Sequence, residues 1–453
     1  MFNNISNRLN NLALSIIGND TTITYKPHVI IHNPNTNFKL IPMIINAIDI
    51  VQDFSASYMD AIQLEVRISY FEYVEILKNM QDLECVITLN PANPSTGFEC
   101  TELEPIIIEA RAILENQEDL SKTIGESVFT NGDAQAPTSP EQASFQMNYT
   151  FHLIEHKAFD LRHAQINAIL TGCTVEQAIR YVCSQFGIEK IVLIEPDNKL
   201  VYDNFVIPPM KDMSNVFSYI QDRYGVYSKG ISWYYTQETL YVYPTCDTSA
   251  DKNTTEGILR IASVPKGMFK GADNYHIVYD KDLYILSISD KEMKSLNTVG
   301  EENAGGVRLS VNSDNTVDGF STLHKDGTLE ISNDNLSVVQ MSNKNGSMSG
   351  KSANVKYDGI RSNIYVSTSE MALFNGSVLS LGWSFGIPRY IAPGQVLEYY
   401  YDESSQIFAT KKGRIQSVSY CSTTQPTKSG NQQIFTFFTT LGLFLDPEKE
   451  TDE

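Results

Sequence analysis

The sequence predicts a mainly β protein with an α+β insert, two β domains flanking a small α/β domain. Three observations predict it. Apolar residues recur at period two, between turn-rich pieces, from Pro27 to about Asp160 and again from Ile258 onward. Between Cys173 and Pro244 the period changes twice to that of a helix. At 453 residues and 42% apolar content, the chain exceeds one ordinary core and can fill about two to four.

The middle stretch organises the rest. Thr174 can N-cap a helix, with Gln177 three residues on completing a capping box. Val175, Ala178, Ile179, Val182 and Phe186 share one face, and Gly187 stands as the C′ residue. A short apolar run, Ile191 to Ile194, precedes the Pro196-Asp197-Asn198 turn. A second helix is expected from about Asp212, burying Met213, Val216, Phe217, Ile220 and Tyr224 and stopping at Gly225. Ile231–Tyr235 and Leu240–Tyr243 then read as strands paired across Thr236 to Thr239.

Ahead of this insert, His28–Ile31, Leu40–Ile50, Ala61–Tyr70, Leu83–Leu89, Pro105–Leu114 and Phe145–Ile154 are strand candidates. Ile62, Leu64, Val66 and Ile68 alternate with Gln63, Glu65, Arg67 and Ser69, as a half-buried strand requires. One apolar face per strand implies a closed barrel or a sandwich. Tyr70 to Met80, with Phe71, Val74, Ile76 and Leu77, reads as a short helix, and Asn90 to Pro94 as a turn. Residues 1–26 carry Phe2, Ile5, Leu9, Leu12, Ile16 and Ile17 at the spacing of an amphipathic segment, without the basic start of a cleaved signal. Lys122 to Glu141 reads as a loop.

Behind the insert, Asp247 to Glu256 is a polar linker. Strands are expected at Ile258–Ile261, Tyr275–Tyr279, Tyr284–Ile288, Ile364–Val366, Ser377–Leu381, Gln395–Tyr401, Arg414–Tyr420 and Ile434–Leu445. Ile391 to Gly394 makes a tight turn. Residues 289–354 turn to Ser, Asn, Asp, Gly and Lys, and read as a surface insertion with thin strands, at Val307–Val311, Thr328–Ile331 and Leu336–Met341, or with partial disorder. The expected division is 1–26, 27–165, 166–246, 247–445 with an insertion at 289–354, and an acidic tail at 446–453.

Charge narrows the function. A net charge of −20 without a Lys/Arg cluster excludes tight nucleic-acid binding, yet suits a surface that DNA passes without sticking. No apolar run approaches a membrane span. Cys85, Cys100, Cys173, Cys183, Cys246 and Cys421 are scattered and read as free thiols.

His152 and His156, with Glu155 and His163 near, are the best metal candidates. On one strand they would lie about 13 Å apart, too far for one ion, so no metal and no cofactor is expected. Glu99, Glu102, Glu104 and Glu109, or Asp197 with Asp203, are paired-carboxylate candidates, but solvated faces explain them as well. Nucleophile-elbow, P-loop and dinucleotide-binding signatures are absent, so no catalytic residue is assigned. Tyr219, Tyr224, Tyr227, Trp233, Tyr234, Tyr235, Tyr241 and Tyr243 form the densest aromatic group. They are the candidate interface, with core packing and a sugar-stacking platform as the other readings.

Several of these blocks resemble one family. Asn148–Ile154, the Thr174–Phe186 helix, Val206–Pro208, the second helix, Arg223–Tyr227 and Leu240–Pro244 look like the central hub protein of contractile phage baseplates. The Ala392–Gly394 turn, the Lys412–Ile415 strand start and the Phe435–Leu445 strand are similar to that family's second barrel. The resemblance covers about half of the chain, and the 289–354 insertion departs from it. It implies two tube-like β-barrel domains per subunit and a homotrimer joining a sixfold tail tube to a threefold central spike. Further implied partners are baseplate wedge proteins, with DNA passing the lumen unbound. The implied location is the virion tail baseplate, assembled in the host cytoplasm, with no enzymatic activity. With eight residues after Leu445, the spike is expected on another polypeptide. A glycan-binding or glycan-degrading β protein and a host-binding adhesin are the competing readings.

Overall fold

The computed structural model describes residues 24–55, 58–92, 99, 104–113, 146–210, 213–248, 258–263, 275–279, 282–287, 292–295, 306–310, 320–324, 329–332, 336–342, 348–356, 365, 369, 376–404, 407–425 and 433–445. The expected amphipathic start (all but its last residues), the 122–141 loop, most of the 247–256 linker and the 446–453 tail lie outside these residues.

The first β region holds β1 (Thr24–His32), β2 (Lys39–Leu40), β3 (Ile44–Asp53), β4 (Ala61–Ser69), β5 (Glu84–Ala92), β6 (Ile106–Ile113) and β7 (Gln146–Glu155). The alternation in β4 is realised: Ile62, Leu64, Val66 and Ile68 are buried between more exposed neighbours. Helix α1 (Tyr70–Lys78) is capped reciprocally, Glu72 N–H donating to Ser69 Oγ and Ser69 N–H to Glu72 Oε2. It buries Tyr73 and Ile76, while Phe71 is exposed.

Two boundaries differ from the sequence reading. The Leu40–Ile50 strand is divided in two, because Pro42 falls in the break between the β1 and β4 pairings. Asn90, Pro91 and Ala92 continue β5 instead of turning, paired with Lys26, Tyr25 and Thr24. Proline is tolerated there because β6 pairs with β5 only as far as Leu89.

The insert contains α2 (His156–His163), α3 (Val175–Gln185) and α4 (Met213–Tyr224), with strands β8 (Ile166–Leu170), β9 (Cys173–Thr174), β10 (Lys190–Leu193), β11 (Val201–Tyr202), β12 (Phe205–Met210), β13 (Ile231–Thr236) and β14 (Thr239–Pro244). Thr174 and Gln177 form the expected capping box, and Gly187 and Gly225 take φ of +64° and +77° after their helices. The β13–β14 hairpin turns on Gln237 and Glu238, both at positive φ, with β10 added in parallel. These elements enclose their own core of Val175, Ile179, Val182, Phe205, Val216, Phe217, Ile220 and Leu240. That core also takes in Ala158 and Leu161 of α2, a helix unmarked by its sequence pattern.

The last region carries β15 (Leu259–Ser263), β16 (Tyr275–Tyr279), β17 (Asp282–Ser287), β18 (Glu292–Ser295), β24 (Ser377–Trp383), β25 (Val396–Ser404), β26 (Ile407–Gln425) and β27 (Ile434–Leu445). Between β18 and β24 the insertion forms two small sheets, β19 (Gly306–Ser310) with β20 (Phe320–His324) and β21 (Leu329–Ser332), and β22 (Leu336–Ser342) with β23 (Met348–Lys356). Of the Ile364–Val366 strand expectation, only Tyr365 is described, and it is helical. Its ring occupies the space where a Cβ on Gly225 would stand.

Strand order shows how the β regions join. The path β26-β3-β4-β7-β6-β5-β1-β27 returns on itself through β26–β27 pairing, closing a barrel. The outer segments β15-β25-β26 and β27-β24-β18 continue from the same two strands into a second rolled sheet. Strand β26 therefore serves both: residues up to Arg414 pair with β25, and Ser417 to Cys421 pair with β3. In β27, Phe435 pairs with Tyr25, whereas Thr439 to Leu445 pair with β24. The change of partner coincides with a register shift between Ile415 and Ser417, a bulge that adds local twist. One hydrophobic cluster fills both sides, from Ile31 and Phe151 to Trp383 and Leu443.

Candidate functional site at the junction of barrels and insert

The insert is fixed to the first barrel by backbone pairing. Tyr235 N–H donates to Tyr58 O at 2.8 Å, and Met59 bridges Tyr235 in parallel. Beside that bridge lies a buried charge cluster. Asp60, in the β3–β4 connection, accepts from Arg389 Nη2 at 2.7 Å and Nε at 2.9 Å, the two side chains being only 1% and 5% exposed. Gln52 Nε2, Tyr234 Oη and Thr236 Oγ1 also donate to Asp60. Arg389 reaches Glu155 at the end of β7 as well, and its carbonyl accepts from Gln237 Nε2.

Arg389 thus joins a first-barrel loop, the insert hairpin and the β24–β25 connection, with its own backbone at φ +58°. Burial raises the Glu155 carboxyl above its ordinary range, Arg389 opposes that, and Asp60 adds to it. Tyr234 is held protonated by burial and by the neighbouring Asp60 charge.

A second buried arginine meets the same face of the β13–β14 hairpin, at Tyr243. Arg414 Nε donates to Asp247 O and Nη1 to Gly394 O, both at 2.7 Å, and its guanidinium lies 5.4 Å from the Tyr243 ring centre. Gly394, at φ +68°, leaves room for that ring: a Cβ there would meet it at 2.4 Å. This explains the tight turn before β25.

The eight aromatic candidates separate into two groups. Tyr227, Tyr234, Tyr235 and Tyr243 are buried inside the subunit. Tyr227 Oη bonds Ile194 O, and Tyr234 packs edge-on to Phe54. Tyr219, Tyr224, Trp233 and Tyr241 are half-buried. Tyr224 stacks on Phe205 at 3.8 Å and donates to Val206 O, Tyr219 meets Tyr224 edge-on, and Trp233 stacks on Tyr58 at 5.0 Å. A row of rings laid open for sugar stacking is not what these contacts make.

The histidine expectation is corrected. β7 stops at Glu155 and His156 opens α2, so His152 and His156 do not share one strand. His163 Nδ1 instead faces Phe159 O within α2. Among the described residues no group of three or more His, Cys, Asp or Glu is arranged to hold a metal. Cys85, Cys173, Cys183 and Cys246 are buried free thiols and Cys421 an exposed one, while Cys100 lies outside the described residues. Burial pushes Cys85 and Cys183 up to about 12.

Of the carboxylate candidates, Glu99 pairs with Lys26 at 3.1 Å, and Asp197 accepts from Ser228 N–H and Oγ. Asp203 contributes a backbone carbonyl to Gly172 N–H, and Glu102 is outside the described residues. Glu104 and Glu109 line an open groove of about 840 Å³, walled by β6, the start of α2, the β13–β14 turn and residues 387–390. Sequence reasoning missed Asp60, Arg389 and Arg414 and set Glu155 beside a metal candidate instead of an arginine; their roles come from burial that no local pattern encodes. Pro388 before Arg389 was the one mark of a turn there.

The fold and junction define a class: a β-barrel protein whose second sheet grows from the first barrel's own closing strands and whose α/β insert is clamped between them. The chain belongs to the family described as Bacteriophage PBS1 gene 109 protein, which matches residues 12–263. No curated protein matches it. Among solved structures it is similar to the tail protein of Neisseria meningitidis MC58, at 12% identity and TM-score 0.43, covering 93% of this chain and 97% of that one. The 43 kDa tail protein of prophage MuSo2 from Shewanella oneidensis is similar at 9% identity and TM-score 0.43, covering 93% and 98%. A type VI secretion component of Escherichia coli, described as structurally similar to T4 tail proteins gp27 and gp5, is similar at 10% identity and TM-score 0.38, covering 93% and 77%.

Proposed function

We propose that this chain is a structural tail component of a phage virion, the central baseplate hub, and not an enzyme. Membership in a phage protein family and the sequence resemblance to baseplate hubs support that reading. The observation that carries it is the shared β26–β27 ribbon, which sets two β-rolled units side by side in one subunit. Three such subunits present six units around an axis, the geometry needed to join a sixfold tube to a threefold spike. Wedge proteins and the spike are the further partners of this reading. In this reading the half-buried Tyr219 and Tyr224 belong to the face of the insert turned toward them, while Trp233 and Tyr241 project from opposite faces of the β13–β14 hairpin.

A −20 subunit gives a −60 trimer, and acidic groups along the lumen let DNA slide by repulsion. Light scattering of the purified chain together with negative-stain images tests the assembly. A trimer with a central hole is expected, and a monomer at all concentrations overturns it. Turnover of cell-wall glycan, or binding to cells by the isolated chain, would favour the enzyme or adhesin readings.

A further inference from the structure

We propose that the open edge of β6 in the groove receives an extended strand from a separate, basic partner protein. Pairing of β6 with β7 covers Ala110 to Ile113 and stops there, while pairing with β5 continues to Ile106. Among the described residues no strand pairs with Ile106–Glu109 on the β7 side. The Ala112 N–H donates to Leu83 O, so even-numbered β6 residues face β5 and odd-numbered ones face the other way. Ile107 therefore turns both its N–H and its C=O toward the groove, with the Pro105 and Glu109 carbonyls on either side. Pro105 offers no donor, as suits an unpaired edge.

The surroundings specify the occupant. Ile107 is 53% exposed and Tyr390 42%, giving an added strand apolar contact. Glu104 and Glu109 are exposed beside them; of the other charged groups along the groove, Glu238 is paired with Lys190, and Lys157 is half-buried with its amine beside Gly187. A strand laid against β6 sets one side chain opposite Ile107 and the next on that face opposite Glu109. An apolar residue with Lys or Arg two positions away matches both, a mode of strand addition with backbone affinity and side-chain specificity.

Neighbouring segments of this chain have the wrong sign. Residues 114–145 contain Glu115, Glu118, Asp119, Glu126, Asp133 and Glu141 against Lys122 alone, and the subunit as a whole is at −20. A separate basic chain is the complementary occupant. The proposal concerns a site within one subunit and stands whether or not the chain forms a ring.

Amide hydrogen exchange on the full chain tests it, with a blocked threonine-based heptapeptide as probe. The probe carries a central valine with a lysine two residues away on each side, so either strand direction places a lysine opposite Glu109. In the free chain the Ile107 amide should exchange fast, and saturating probe should slow it roughly tenfold or more. The same peptide with glutamate for lysine should leave it unchanged. Ile107→Pro removes the groove-facing donor without touching the β5 ladder and should abolish binding while leaving the melting temperature close to wild type. Should that variant fail to fold, Glu109→Lys should reverse the preference between the two peptides. Slow exchange at Ile107 in the free chain would mean that the chain or a second copy already covers the edge, and would overturn the proposal. No slowing by the lysine peptide would overturn it equally.

Discussion

Arg389 and Arg414 are both buried where the insert meets the barrels, and they meet different partners there. Arg389 faces two carboxylates, one of them carrying five hydrogen bonds from Arg389, Gln52, Tyr234 and Thr236. Arg414 is held by two carbonyl oxygens and the face of Tyr243. Removing the first strands two buried carboxylates, whereas removing the second leaves the Asp247 and Gly394 carbonyls without that donor.

The largest effect is therefore expected from Arg389→Met. It leaves Asp60 and Glu155 buried without their cation and should cost about 3–5 kcal/mol in denaturant unfolding. A loss under about 1 kcal/mol would show that water reaches the cluster. Arg414→Met should cost less, about 1–3 kcal/mol, from two buried carbonyls without a donor. Gly394→Ala tests the same clamp from its other side. Its φ of +68° and the Tyr243 ring at 2.4 Å predict a loss of about 1–3 kcal/mol, with Tyr243 fluorescence changed before unfolding.

Acidity sharpens the comparison further. Unfolded Glu155 releases its proton near 4.5, while the folded residue holds it to higher pH. In that window the native state binds more protons, so this contribution is complete below 4.5 and is lost as pH rises through the folded value. Glu155→Gln should flatten that part of a stability-against-pH curve. The smallest effect belongs to the turn between β13 and β14. Glu238→Gly relieves φ +60° at the loss of an exposed pair with Lys190, and should raise stability by about 0.5 kcal/mol.

These regions differ equally in how far the sequence revealed them. The caps at Thr174 and Gln177, the stops at Gly187 and Gly225 and the alternation of β4 depend on neighbours within a few residues, so pattern alone located them. The Ile434–Leu445 strand was read with its full bounds. That its two ends lie in different barrels was invisible, because the partners Tyr25 and Trp383 are hundreds of residues apart. Arg389 and Asp60 meet across a comparable separation, and nothing near either marks it as buried. The aromatic cluster misled by abundance: tyrosine serves interfaces and cores alike, and here half of the group fills the interior.

The bulge between Ile415 and Ser417 has a mechanical corollary. A load applied to either unit travels into the other along a hydrogen-bonded ladder that resumes on both sides of the bulge. Twisting one about the other would shear the β26–β27 ladder itself, so the pair must tilt as one piece.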